Sequence, residues 1–162
     1  MKLDLDRQGT GRTGLEVAER LPLGGDPDLA LPADVELRGS LTVDNLEGRC
    51  LVHGELAVTV TVACDRCLDD FALTYPAPVE ITVVRAVSSE GEGDSWVIHQ
   101  RQGEVELDEP LREAALLALP QKLLCREDCR GICPHCGANR NREACACPDE
   151  ATDPRWEGLP GQ

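Results

Sequence analysis

Nine cysteines carry most of the chemical information in this sequence of 162 residues. Eight of them fall into four close pairs: Cys64 with Cys67, Cys125 with Cys129, Cys133 with Cys136, and Cys145 with Cys147. Tetrahedral zinc takes four thiolates, and two ligands a few residues apart can turn onto one ion. The four pairs therefore predict one or two zinc sites. The ninth cysteine, Cys50, shares the parity of the apolar residues around it, and we interpret it as a core side chain.

The spacing of the pairs favours one way of combining them. Eight residues separate Cys136 from Cys145, so the two C-terminal pairs can share one ion through a loop that costs little entropy to close. The first two pairs would then meet across the fold, and zinc would tie the Cys-rich segment to the rest of the chain. The open alternative is a single site made by Cys125, Cys129, Cys133 and Cys136.

These motifs favour a structural metal over a catalytic one. A zinc ion with four thiolates has no free position for water, so it stabilises a fold and does not act as a Lewis acid. The sequence also lacks a Walker loop, a G-x-S-x-G elbow and an H-E-x-x-H motif. We therefore expect a protein that is not an enzyme.

Two competing hypotheses remain. The first is a redox-active or redox-sensing zinc-thiol protein, in which oxidation expels zinc and forms disulfides. Its weakness is that the CDRC motif follows an alternating strand, whereas a thioredoxin dithiol begins a helix inside a βαβ unit. The second is a zinc module associated with transcription, supported only by the CPHCG sequence.

Charge is distributed unevenly along the chain. The whole sequence has a formal charge of -14 and only four aromatic residues, which argues against broad binding of a phosphate backbone and against an aromatic stacking platform. Residues 121–147 instead carry a net charge of +2. Their basic residues are Lys122, Arg126, Arg130, Arg140 and Arg142. These side chains either offset the negative zinc-thiolate centres or contact phosphate or an acidic protein, and His135 is a further candidate for partner contact.

The periodicity of apolar residues predicts the elements that position the cysteines. Apolar and polar residues alternate over 15–23, 35–43, 50–64 and 71–83, which predicts strands with one buried face, and a turn is expected at 45–48. Two short segments, 96–98 and 105–107, are expected to close the sheet.

The period then changes to about 3.6, which predicts a helix that Asp108 caps and Pro120 ends. The predicted fold class is α+β: an antiparallel β-sheet or partly closed barrel, one helix near the C-terminus, then a Cys-rich zinc-binding appendix.

The predicted organisation has three parts. Residues 1–120 form the sheet and the helix, residues 121–147 form a Cys-rich zinc module packed on them, and residues 148–162 form a disordered tail. Residues 88–95 are expected to be a mobile loop. No apolar run approaches the roughly 20 residues of a membrane span, and the first residues lack the apolar core of a signal peptide, so we expect a cytoplasmic protein.

Two segments, CDRCLDDF and LDEPLREAALLALPQKLLCREDCRGICPHCGANRNREACAC, resemble the YceD-like family of bacteria and plastids, named for large ribosomal RNA subunit accumulation. The resemblance covers most of the chain and is strongest over 107–147. The family motif is matched by Cys64, Arg66, Cys67, Cys125, Cys129, Gly131, Cys133, Pro134, Cys136, Gly137, Asn139, Cys145 and Cys147. Arg140 departs from it, because an apolar residue is expected there.

The resemblance implies a non-enzymatic factor for the synthesis, processing or stability of large-subunit (23S) ribosomal RNA during ribosome assembly. A protein with a charge of -14 is a poor general RNA binder. We therefore expect the chain to reach assembly intermediates through a basic partner, such as a large-subunit ribosomal protein, while the zinc appendix makes any direct contact with RNA.

Overall fold

The computed structural model of the protein describes residues 1–7, 10–23, 32–46, 49–84, 97–99 and 103–147. The strands are β1 (Lys2–Asp4), β2 (Gly11–Pro22), β3 (Asp34–Leu46), β4 (Arg49–Ala63), β5 (Asp70–Val84), β6 (Val97–His99) and β7 (Glu104–Glu106), and the helix is α1 (Asp108–Leu117). Four long strands lie where the alternation of apolar residues predicts them. The turn predicted at 45–48 is only partly described, and residues 45 and 46 end β3.

The main sheet has five strands in the order β2-β3-β4-β5-β6. Neighbouring strands pair antiparallel except β5 and β6, which pair parallel over three residues, so the sheet is mixed. In the part of the chain that the structure describes, β2 and β6 are its two edges and do not pair with each other. The barrel alternative is therefore not supported.

One of the two segments expected to close the main sheet lies elsewhere. The structure pairs β7 with β1 in a separate two-stranded sheet, so the expectation for 105–107 is wrong. The reason is the first strand, which is only three residues long and too short to give a periodic signal. Leu3 and Val105 of this small sheet are buried in the same apolar core as the main sheet.

The buried face of the main sheet follows the alternation of the sequence. In β4, for example, Val52, Leu56, Val58 and Val60 are buried while their neighbours face outward. Cys50 is fully buried on the same face, in the apolar core. β5 runs without interruption through Pro76 and Pro78. In the described part of the chain its second neighbour, β6, pairs only with Thr82–Val84, so both prolines lie where one side of β5 is an open edge that tolerates proline.

Helix α1 covers one end of the core. Leu111, Ala114 and Ala115 are buried, and the hydroxyl of Tyr75 on β5 donates a hydrogen bond of 2.9 Å to the carbonyl of Ala115. The prediction that Asp108 caps the helix is wrong, since Leu107 occupies that position and makes no side-chain cap. Asp108 is the first helical residue, and its carboxylate pairs with the N-terminal amine of Met1.

Residues 121–147 have little regular structure. Their single bridge joins Ile132 to Asn139, and the rest of the segment is held by turns and side-chain contacts. The predicted loop at 88–95 and the predicted tail at 148–162 lie outside the described residues. Within the described ranges, no helix has the length and apolar character that a membrane span requires.

Candidate metal centres

The first group of cysteines joins the main sheet to the segment after the helix. Cys64 and Cys67 lie in the turn between β4 and β5, and Cys125 and Cys129 lie beyond α1. All four sulfur atoms lie within 4.8 Å of one another. Cys125 is exposed, but the other three are buried, with Phe71 and Leu124 packed against them. The sulfur atoms of this group, the inner centre, are therefore largely shielded from water.

The distances within the inner centre fit a metal ion and exclude a disulfide. The Sγ atoms of Cys64 and Cys129 are 3.8 Å apart, and those of Cys67 and Cys125 are 3.7 Å apart. Four sulfurs placed about 2.3 Å from a tetrahedral ion are about 3.8 Å from one another, whereas bonded sulfurs are about 2 Å apart. None of the nine cysteines, all of which are described, forms a disulfide.

The second group, the outer centre, consists of Cys133, Cys136, Cys145 and Cys147, whose sulfur atoms also lie within 4.8 Å of one another. Only Cys133 is buried, Cys136 is exposed, and the two later cysteines are half-buried. The structure thus brings together the pairs that the spacing favours. It does not bring Cys125 and Cys129 together with Cys133 and Cys136.

Each centre begins with a tight turn whose backbone is hydrogen-bonded. At the inner centre the N–H of Leu68 donates to the carbonyl of Cys64 at 2.9 Å, and at the outer centre the N–H of Gly137 donates to the carbonyl of Cys133 at 2.9 Å. Gly137 has a φ of 72°, a left-handed conformation that glycine adopts without steric cost. The two turns therefore share a backbone hydrogen bond between the first cysteine and the residue that follows the second cysteine.

Backbone donors stabilise thiolates at the first cysteine of each turn. Burial raises the pKa of Cys64, but backbone N–H groups, first that of Cys125 at 3.4 Å from the sulfur, outweigh burial and lower the pKa to about 6. The N–H groups of Cys136 and His135 likewise lower the pKa of Cys133 to about 6. These two sulfurs are prepared to bind a cation, because metals bind the thiolate form.

Two other thiols, those of Cys147 and Cys67, have raised pKa values. The sulfurs of Cys136 and Cys133 raise the pKa of Cys147 to about 12. At Cys67 the N–H of Asp69 acts in the opposite direction, yet burial and the neighbouring thiols raise the pKa to about 12. A divalent ion among the four sulfurs would remove this repulsion, because a coordinating thiol is deprotonated outright. The donor sets of both centres therefore fit a metal ion.

Arg66 and Gly131 clamp the two turns together. The carbonyl of Arg66 accepts the N–H of Ile132 at 3.0 Å, and the Arg66 guanidinium donates to the carbonyl of Cys129 at 2.8 Å. Gly131 has a φ of 72°, and a Cβ there would lie only 2.8 Å from the Arg66 carbonyl oxygen. Glycine is therefore required at this approach, which explains two motif residues that bind no metal.

Two asparagines connect the centres. The sequence pattern predicted a role for neither, although Asn139 matches the family motif. The side chain of Asn141 donates to the sulfur of Cys129 at 3.4 Å and accepts from the guanidinium of Arg126 at 2.7 Å. Asn139 donates to the carboxylate of Asp69 at 2.9 Å. Asn141 has no spacing signal, and its position in the loop between two cysteine pairs was the only available hint.

The predicted contact residues differ in whether their side chains already form ion pairs. Arg126 lies 3.4 Å from Asp128, and Arg142 lies 2.9 Å from Asp69. Within the described residues, the side chains of Lys122 and Arg130 make no ion pair. Arg140 lines a cleft of the outer centre together with Arg130, Glu143 and Cys145. His135 is exposed on the turn of the outer centre.

Comparison with known proteins identifies the family. The profile of the family described as "Large ribosomal RNA subunit accumulation protein YceD" matches residues 52–161, which include both centres. An uncharacterized protein of Mycobacterium tuberculosis is 30% identical over 132 residues, covering 78% of this chain and 59% of that protein. An uncharacterized protein of Mycobacterium leprae is also 30% identical, covering 78% of this chain and 52% of its own. No solved structure matches the chain.

A named relative agrees with the profile. The Arabidopsis thaliana protein called "Large ribosomal RNA subunit accumulation protein YCED homolog 1, chloroplastic" is 24% identical over 182 residues, covering 92% of this chain and 57% of that protein. The chain spans between 52% and 59% of the length of these relatives. The profile match covers well over half of the chain, and the chain belongs to the YceD family of large ribosomal RNA subunit accumulation proteins.

Proposed function

We propose that this protein is a non-enzymatic factor in the synthesis, processing or stability of large-subunit (23S) ribosomal RNA during ribosome assembly, and that two structural zinc ions hold its functional surface. The observation that carries the proposal is that all eight paired cysteines lie within the region that the family profile matches. The family name supplies the biological setting, and the geometry of the centres supplies the role of the metal.

Zinc is the metal that best suits these donor sets. Four thiolates with sulfur separations of 3.7 and 3.8 Å suit a tetrahedral ion of soft character. Nine cysteines that form no disulfide suit a reducing compartment such as the cytoplasm. Cys64, Cys67, Cys125 and Cys129 would hold one ion, and Cys133, Cys136, Cys145 and Cys147 the other. With four protein ligands neither ion would have a position for substrate, so we assign no catalytic step.

The charge of the chain limits how it meets its partners. A formal charge of -14 repels a phosphate backbone, so assembly intermediates are reached mainly through a basic protein, with local RNA contact at Lys122 and Arg130. These two cations are available because the structure gives them no carboxylate partner among the described residues. Arg126 and Arg142, which are already paired, hold the centres in place and contribute less to any contact.

The test is genetic and uses matched charge reversals. In a bacterium whose own family member is deleted, this chain is expected to restore 23S RNA levels and to co-sediment with precursors of the large subunit. Lys122→Glu combined with Arg130→Glu should weaken that co-sedimentation, whereas Arg7→Glu combined with Arg20→Glu, an equal charge change elsewhere, should leave it intact. Normal 23S RNA levels in the deletion strain, or no co-sedimentation of the chain at low salt, would contradict the proposal.

The exposed outer centre supports a second candidate, a zinc-thiol redox sensor. One of its four cysteines is buried, against three of four in the inner centre, so peroxide reaches the outer centre more easily. A sensor releases zinc and forms disulfides at low peroxide doses, and a reductant restores the zinc-binding form. A structural centre keeps its zinc over the same doses. Zinc release measured against peroxide concentration therefore separates the two candidates.

A further inference from the structure

The turns of the two centres, CDRCL and CPHCG, differ among other positions in the residue that follows the second cysteine. Leu68 follows Cys67 as Gly137 follows Cys136, and both residues donate their N–H to the first cysteine of the turn. Both have positive φ, 58° for Leu68 and 72° for Gly137. Among the described residues, Leu68 is the single residue other than glycine with a positive φ.

Leucine is an unfavourable choice for this position on grounds of stability. A left-handed backbone brings its Cβ close to the following carbonyl oxygen, a clash that glycine avoids. Burial of the side chain would offset this cost, yet Leu68 is 64% exposed. The backbone is therefore strained at a residue whose aliphatic side chain faces solvent. Strain of this kind that brings the fold no benefit indicates a functional role.

The surroundings of Leu68 hold it firmly. Asp65 and Leu123 exchange two hydrogen bonds, N–H to carbonyl at 2.8 Å and N–H to carboxylate at 2.7 Å. The N–H of Cys64 also donates to the carbonyl of Asp69 at 2.9 Å. A projecting residue on a rigid turn loses little conformational entropy on binding, which favours its use as an anchor.

The charges around Leu68 select the kind of partner. Asp65, Asp69 and Asp70 lie within three residues of it in the sequence. Asp70 is exposed and makes no ion pair within the described residues. Asp69 is paired with Arg142 at 2.9 Å, and the guanidinium of Arg66 points to the carbonyl of Cys129, so neither cation offsets the charge of Asp70. Carboxylates repel phosphate, and leucine offers no π-face on which a base can stack, so RNA is a poor occupant here.

We propose that Leu68 is a docking anchor that inserts into an apolar pocket of a basic protein, with Asp70 meeting a lysine or arginine at the rim. The inference deepens the proposed function, on which it rests for the setting, by naming the surface through which the basic partner is bound. It predicts that the inner centre serves binding directly, because its turn carries the anchor.

A photo-crosslinker at position 68 tests the partner class. Leu68 is replaced by benzoylphenylalanine in the full chain, expressed in the deletion strain, and the adducts formed on illumination are identified by mass spectrometry. From position 68 we expect an adduct with a protein that has more lysine and arginine than aspartate and glutamate. The control places the label at Leu117, a leucine that is 75% exposed on α1, and should not give this adduct. An adduct with RNA alone, an acidic protein, or no adduct at all would overturn the proposal.

Affinity for the identified protein, once purified, tests the role of the side chain. Leu68→Gly keeps the turn, as Gly137 shows, so zinc content should match that of the wild type. The unfolding midpoint should be equal or higher, because glycine removes the backbone strain. The variant should bind the partner about tenfold or more weakly, and Leu117→Gln should bind it normally. Equal binding by all three chains, or an equal loss in both variants, would refute an anchor at Leu68.

The outcomes for the two proposals are separable. A basic partner that takes no part in ribosome assembly would keep the anchor and contradict the proposed function. If the chain restores 23S RNA but Leu68→Gly binds the partner as well as the wild type does, the proposed function stands and the role of Leu68 as an anchor is refuted.

Discussion

The sulfur atoms of Cys64 and Cys129 lie 3.8 Å apart, although 65 positions separate the two residues in the chain. Cys64 ends the β4 side of a hairpin, whereas Cys129 belongs to a segment with almost no regular structure of its own. A metal ion between them would therefore join that segment to the sheet. At the outer centre all four cysteines belong to residues 133–147, so a metal there would close only a local loop.

Serine substitutions should distinguish the two centres. Cys129→Ser is expected to reduce bound zinc from two ions to one and to destabilise the protein by about 4 kcal/mol or more, because it removes a metal that ties distant segments together. Cys145→Ser should also leave one zinc but cost less stability. Zinc per chain and denaturant unfolding measure both effects. Cys50→Ala is the control and should retain two zinc ions, and equal losses of stability in the two serine variants would contradict the difference in role.

A chelator should remove the two ions in sequence. Three of the four inner cysteines are buried, against one of the four outer cysteines, so the outer ion is more accessible. Zinc release followed with a coloured chelator should show a fast phase of one ion and a slow phase of one ion. Cys145→Ser should lack the fast phase. A single phase, or a fast phase retained in that variant, would show that exposure does not control the release.

The hydrogen bond between Tyr75 and Ala115 should contribute measurably to the free energy of unfolding. Ala115 lies in the last turn of α1, where carbonyl groups lack intrahelical partners, and Tyr75 satisfies this one. Tyr75→Phe should reduce the free energy of unfolding by about 1 kcal/mol without loss of zinc. Unfolding in denaturant provides the measurement, and an unchanged midpoint would mean that water replaces the hydroxyl at no cost.

Alkaline pH should destabilise the protein through the same residue. Burial raises the pKa of Tyr75 to about 12, whereas an unfolded tyrosine has a pKa of about 10. Below about pH 10 Tyr75 is protonated in both states and its stabilisation of the fold is complete. As the pH rises towards 12 only the unfolded state releases the proton, so this stabilisation is lost. Tyr75 is the only tyrosine, so phenolate absorbance reports it alone. Tyr75→Phe should lack this part of the alkaline loss, and ionisation near pH 10 in the folded protein would contradict the expectation.

Two glycines in the main sheet should tolerate no side chain. Gly39 and Gly54 have φ values of 150° and 154°, and the side chains of Leu56 and Leu41 occupy the space that a Cβ would fill, at 3.0 Å in each case. Gly54→Ala should therefore cost about 1–3 kcal/mol of unfolding free energy. Gly14→Ala is the matched control, because nothing lies within 4 Å of a Cβ there. Equal stability of the two variants in denaturant would contradict this account.

The strands could be predicted from the sequence because a buried face imposes a period of two on every residue of a strand. The segment 50–64 shows this, with β4 found at Arg49–Ala63. Shorter elements give no such signal, and the pairing of β1 with β7 was missed for that reason. The cap of α1 was predicted one residue too late, because Leu107 takes the capping position and Asp108 is the first helical residue.

The grouping of the cysteines into two sets of four could be predicted from the sequence, because thiol side chains and short spacing are local properties of the chain. Which residues surround those cysteines depends on the folded chain. The fold brought Asn141 to the sulfur of Cys129, placed Gly131 against the carbonyl of Arg66, and left Leu68 exposed in a left-handed turn. The approach of Gly131 to Arg66 joins residues 65 positions apart, and neither composition nor periodicity encodes such a meeting.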